Sequence, residues 1–89
     1  MDRGIRGGLG NWNADEVDRF ELAQQTLRTL IAAYSARIAG ANDVEADRLR
    51  AERSRYADEL RRLDPTDTAT LARIAADYPA LVDRVRNLR

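Results

Sequence analysis

Two apolar seams of the same period, running away from each other on either side of Gly40, constrain this chain more than any other feature. Val17, Phe20, Gln24, Leu27, Ile31, Tyr34 and Ile38 alternate at spacings of 3 and 4, and so do Ala46, Leu49, Arg53, Tyr56, Leu60 and Leu63. That alternation is the spacing of knobs-into-holes packing between helices. A connection of a few residues at Gly40 obliges the two helices to lie antiparallel. The registers then agree throughout. Ile38 faces Ala46, Tyr34 faces Leu49, Ile31 faces Arg53, Leu27 faces Tyr56, Gln24 faces Leu60 and Phe20 faces Leu63, the paired numbers always summing to 83 or 84. A helical hairpin demands this agreement, and chance rarely supplies it.

The start and stop signals fit the seams. Asn13 is placed to cap the first helix, with Glu16 as its capping-box partner, and Trp12 and Val17 have the spacing of a hydrophobic staple. Gly40 is expected to close that helix as a C′ glycine. Asn42 and Glu45 repeat the capping pattern for the second helix. A third segment opens at Asp64-Pro65-Thr66-Asp67, an acidic cap followed by proline. Its seam is Leu71, Ile74, Tyr78, Leu81, Val85 and Leu88. Pro79 removes one helical hydrogen bond and disfavours helical geometry at Tyr78. The segment is therefore one kinked helix or two short ones, near 67–77 and 79–88. The expected fold is all-α: a hairpin of helices at about 13–39 and 43–63 with a third helical segment at about 66–88, a three- or four-helix bundle. Residues 1–12 hold four of the five glycines and read as a flexible Gly/Arg-rich arm, and residues 13–89 as one helical domain.

Composition narrows the chemistry. The 89 residues contain neither cysteine nor histidine. The usual zinc ligands, disulfides and the usual neutral-pH general base are therefore missing from them. No catalytic, metal or cofactor residues are assigned, and catalysis is not expected. The 15 basic residues, all arginine, balance 15 acidic ones. A nucleic-acid partner is not expected at zero net charge, because binders of phosphate backbones usually carry a basic excess. The arginine bias, alongside 15 alanines, reads as a GC-rich bacterial coding sequence. No apolar run approaches the ~18 residues that span a bilayer, and no signal-peptide pattern is seen. A cytoplasmic protein without membrane contact is expected.

One asymmetry points to a partner. From Asn42 to Asp64, 13 of 23 residues are charged; from Leu22 to Gly40, only Arg28 and Arg37 are, among 19. The first helix is thus apolar or small on more than one face. Leu22, Leu30, Ala33 and Ala36 are the candidate interface residues, free to pack on a second copy or a partner helix. The opposing reading is that the third segment covers them. Gln24 and Arg53 are polar positions within the seams. They set register or oligomer state, or Arg53 snorkels past its stem to water; the functional alternative has Arg53 holding an anion. Tyr34, Tyr56 and Tyr78 all sit on seams and read as core, with a small polar cavity near Arg53 as the other reading.

The function these features favour is a small non-catalytic helical interaction module, a regulator, adaptor or assembly subunit. It would self-associate as a homodimer or dock a protein partner through the apolar face of the first helix. Two other classes stay open. One is an antitoxin-like or transcription-associated regulator that touches nucleic acid through arginines. The other is a small helical enzyme or binder of an anionic metabolite.

Overall fold

The computed structural model describes residues 14–88. The glycine- and arginine-bearing arm, the Trp12 staple and the Asn13 cap lie outside the described residues, as does the Glu16 side chain. Three helices follow in order: α1 over Ala14–Ala39, α2 over Asp43–Arg61 and α3 over Thr68–Arg86. α1 packs against both of the others, whereas no Cα of α2 comes within 8 Å of one of α3. Side chains of α1 around Leu22, Thr26 and Thr29 lie beside Pro79, Val82 and Arg86 of α3. Farther along, Arg37 of α1 donates to the Arg86 carbonyl at 3.4 Å. α3 therefore runs parallel to α1, and the bundle is up-down-up.

The central position of α1 decides what is buried. Its deepest residues are Ala23, Leu27, Leu30, Ala33 and Tyr34. That line faces the cleft between α2 and α3. The expected seam toward α2 alone is shallower: Phe20, Gln24, Ile31 and Ile38 are half-buried, and Val17 is exposed. α3 contributes Leu71, Ile74, Tyr78, Val82 and Val85. Val82 takes the deep place expected of Leu81, because a helix of 3.6 residues per turn steps by 4 as well as by 3 from Tyr78. Leu27, Leu30, Leu49, Leu71 and Ile74 are the largest fully buried side chains. Each contributes roughly 1.5–3 kcal/mol by leaving water.

Pro79 sits inside one uninterrupted helix, so the segment is not split. Its ring is exposed, while Ile74 and Tyr78 before it and Val82 and Val85 after it are buried on α1. Packing on both sides of the proline holds the helix through the lost hydrogen bond.

The caps show one agreement and three corrections. Asn42 accepts the Glu45 N–H at 2.8 Å, as expected. The Glu45 carboxylate turns to Arg48 instead of completing a capping box. The cap of α3 is Asp67, which accepts the Thr70 N–H at 3.2 Å. Asp64 instead folds the preceding turn, accepting from the Thr66 N–H at 2.9 Å and its hydroxyl at 2.8 Å. These bonds favour the ionised carboxylate and hold Asp64 below its usual pKa. Gly40 closes α1 through its N–H to the Arg37 carbonyl at 3.1 Å, without the left-handed backbone of a C′ glycine.

A Cβ added at Gly40 meets nothing within 4 Å. Gly40→Ala is therefore expected to raise stability by about 0.4–1 kcal/mol, through the lower entropy of the unfolded chain. Chemical denaturation checks this. In the same assay Asp67→Ala is expected to cost about 1 kcal/mol as a lost N-cap.

Candidate functional site

α2 carries Glu52, Tyr56 and Glu59 at i, i+4 and i+7, which places all three on one side of the helix. That side meets tyrosines from both neighbours. The Tyr56 ring stacks on Tyr34 of α1 at 5.8 Å between centroids and 24° between planes. Its other contact is edge-on to Tyr78 of α3, at 5.7 Å and 84°. Both distances fall within the favourable range for aromatic pairs. The outer phenols are anchored at each end: Tyr34 donates to Glu52 at 2.8 Å and Tyr78 donates to Glu59 at 2.8 Å.

The two carboxylates are themselves held. Arg48 donates to Glu52 at 2.8 Å and also pairs with Glu45. Arg73 approaches Glu59 at 3.8 Å, and its guanidinium lies 6.0 Å from the Tyr78 ring centre. Burial, then donation to Glu52, pushes the Tyr34 phenol well above its ordinary pKa. Burial and Glu59 push Tyr78 the same way, against Arg73. Neutral phenols that donate to carboxylates are structural ties, not poised acids or bases. Among the described residues no buried side-chain nitrogen or oxygen lacks a hydrogen-bond partner. Nor does any group of three or more His, Cys, Asp or Glu in those residues stand ready to hold a metal.

The residues singled out in the sequence scatter. Leu30 and Ala33 are buried in the core cluster that α3 shares with α1, so they do not belong to an uncovered face. The reason is the central place of α1, which loses two faces to neighbours instead of one. Leu22 remains 51% exposed, and Ala36 is exposed. Gln24 and Arg53 are half-buried at the rim of the α1–α2 contact. The Arg53 guanidinium donates to the Ser35 hydroxyl at 2.9 Å, near the surface. Its stem crosses the seam and its charge leaves it. The three tyrosines do meet, but as a ladder tied to glutamates, while Arg53 turns to Ser35.

Two surfaces are left uncovered by this arrangement. The outward stripe of α1 runs from Asp18 and Glu21 through Leu22, Gln25 and Arg28 to Ala32, Ala36 and Ala39, all exposed. Leu22 forms the rim of a depression of about 260 Å³ shared with Thr26, Thr29, Pro79 and Val82. On the far side of the bundle the unclosed α2–α3 seam is an open trough of about 630 Å³. Tyr56 and Tyr78 line it, together with Leu63 and a set of charged groups from Arg55 to Arg73. A third depression, of about 400 Å³, lies at the hairpin turn between Ala36, Ala41, Leu49 and Leu88. Glu52 and Glu59 have no role assigned from the sequence. The missed signal was their i, i+4, i+7 spacing around a seam tyrosine.

Comparison with known protein families, with curated proteins and with solved structures finds no match for this chain. Among the described residues, no helix is long and apolar enough to cross a membrane.

The ladder has a pH signature. Both phenols ionise at higher pH in the folded chain than at the ordinary value of 10.0. Their contribution is therefore complete below about pH 10 and is lost as pH rises through the folded values. Thermal melts of the native chain are expected to show falling stability above about pH 10. The Tyr34→Phe, Tyr78→Phe double variant is expected to show a flatter decline. At neutral pH, Tyr34→Phe alone is expected to cost about 1 kcal/mol, since water replaces the phenol at a half-exposed Glu52.

Proposed function

We propose that this chain is a small non-catalytic helical interaction module that self-associates through the outward stripe of α1, a homodimer being its smallest assembly. The observation that carries this reading is the placement of the exposed apolar side chains. Among the described residues, three large hydrophobics are exposed: Val17, Leu22 and Val44. Two of the three lie on α1, Leu22 on its outward stripe and Val17 beside it. Leu22 stands beside the apolar depression of Thr26, Thr29, Pro79 and Val82, and the stripe continues into Ala32, Ala36 and Ala39. Small residues let a second helix approach closely, and a leucine at the rim supplies an anchor for a neighbouring surface. Arg37, the one charged residue between Thr29 and Gly40, turns aside to the Arg86 carbonyl and leaves that stretch uncharged.

Several features support an adaptor or assembly role over catalysis. The titratable groups of the ladder are spent on holding helices together, and the buried core contains no polar or charged residue among those described. The arginines of α2 alternate with carboxylates, and Arg48, Arg50 and Arg61 pair with them. That pattern disfavours a phosphate-binding stripe. A bacterial cytoplasmic setting belongs to the same reading.

Light scattering over a wide concentration range tests it. The full chain is expected to gain mass with concentration. Leu22→Glu is expected to weaken association roughly tenfold or more with little change in melting temperature. Leu30→Ala is expected to behave in the opposite way, losing about 2–5 kcal/mol of stability as a core cavity. A native chain that stays monomeric at every concentration contradicts the proposal.

A further inference from the structure

Which surface receives the α1 stripe is answered by charge and by the groups left without partners. The trough between α2 and α3 contains both signs of charge, but not in the same condition. Its two α2 carboxylates are committed, Asp58 to Arg61 and Glu59 to Tyr78 and Arg73, whereas Asp64 and Asp67 accept only from backbone N–H groups and the Thr66 hydroxyl and have no cationic partner among the described residues. Arg55 and Arg62, exposed and a heptad apart on its α2 wall, have no ion-pair partner among the described residues. The hydroxyl of Tyr56, between its two anchored neighbours, likewise makes no hydrogen bond among those residues. The trough therefore offers donors and lacks acceptors in its middle, while Asp64 and Asp67 add negative charge at its loop end.

The α1 stripe has the converse order. Asp18 and Glu21, exposed and without an ion-pair partner among the described residues, come first, and Arg28 follows. Along a helix rising 1.5 Å per residue, the carboxylate pair precedes the arginine by about 13 Å. In the trough, Arg55 and Arg62 come before Asp64 and Asp67, which lie in the turn that follows α2. Apolar groups match too: Leu22 on the stripe with Val17 beside it, Tyr56 and Leu63 in the trough.

We infer that the α2–α3 trough is the docking site for the outward stripe of α1 from a second copy of this chain. Asp18 and Glu21 of the incoming helix meet Arg55 and Arg62, and Arg28 meets the Asp64–Asp67 end. The incoming helix becomes the fourth helix of a bundle whose third seam is open. This rests on α1 being the self-association face and adds what that face binds. Because stripe and trough lie on opposite sides of one copy, the contact is head-to-tail. Such a contact propagates or closes into a ring, and does not stop at an isologous pair. Charge-paired association of this kind weakens as salt screens it.

A charge-swap experiment on the full chain decides the matter. Asp18→Arg with Glu21→Arg reverses the stripe, and Arg55→Glu with Arg62→Glu reverses the trough. Circular dichroism verifies that each remains helical, and the neutral pairs Asp18→Asn with Glu21→Gln and Arg55→Gln with Arg62→Gln serve as milder forms. Sedimentation velocity at low salt is expected to show the native chain growing past a dimer with concentration. Each reversed variant alone is expected to lose association roughly tenfold or more. Their equimolar mixture is expected to recover it, since reversed stripe then meets reversed trough and native stripe meets native trough. If Leu22→Glu abolishes association while the trough variants do not, or if the mixture fails to recover, the trough assignment is overturned and the α1 face stands. A native chain that never associates overturns both.

Discussion

Tyr56 is the point at which all three helices are tied together. Its ring lies between Tyr34 and Tyr78, and the glutamates on either side of it in α2 take the hydroxyls of those two rings. The buried leucines and Ile74 supply most of the stabilisation, at roughly 1.5–3 kcal/mol each. Oily contact is not directional, however, and by itself lets α2 slide or roll on α1. The ladder adds direction. Each aromatic pair contributes about 0.5–1.5 kcal/mol beyond burial, and it does so only at defined spacing and angle. By contrast, the exposed pairs along α2, such as Arg50 with Asp47 at 3.0 Å, are worth about 0–1 kcal/mol and fix little.

The same tyrosines set the distance between α2 and α3. Two large rings meeting edge-on occupy the space where smaller side chains would let backbones approach. The seam stays open, with no Cα of one helix within 8 Å of the other. A bundle that spends three aromatic side chains on one junction thus acquires a trough on the side away from α1. The uncovered trough follows from that packing, and the uncovered stripe of α1 from its having two helical neighbours among the described residues.

Much of this was legible in the sequence because it depends on local chemistry and period. The hairpin followed from two matched seams about Gly40, and the cap of α2 from Asn42 three residues before Glu45. What escaped depended on tertiary context. A 3-4 seam identifies one packing partner, but α1 has two. Its deepest line therefore runs between them through Ala23 and Leu30, and it takes in Ala33, which the seam left outside. Asp64 and Asp67 both have the chemistry of a cap, and the turn that the Asp64 carboxylate closes over Thr66 leaves the capping place to Asp67. The stem of Arg53 spans the seam as the snorkelling reading expects, and only the Ser35 hydroxyl that its head reaches was not legible. Glu52 and Glu59 are indistinguishable from solvated charges until the opposite tyrosines are in place.

The most direct test of the ladder is a double-mutant cycle on the tie between α2 and α3. Tyr78→Phe, Glu59→Ala and the double variant would be unfolded in denaturant beside the native chain. A tie of this kind predicts a coupling energy of about 1 kcal/mol between the two sites, as for residues that share a hydrogen bond. Additive single losses, with no coupling beyond error, would contradict it and would leave the junction of α2 and α3 to nonspecific contact alone.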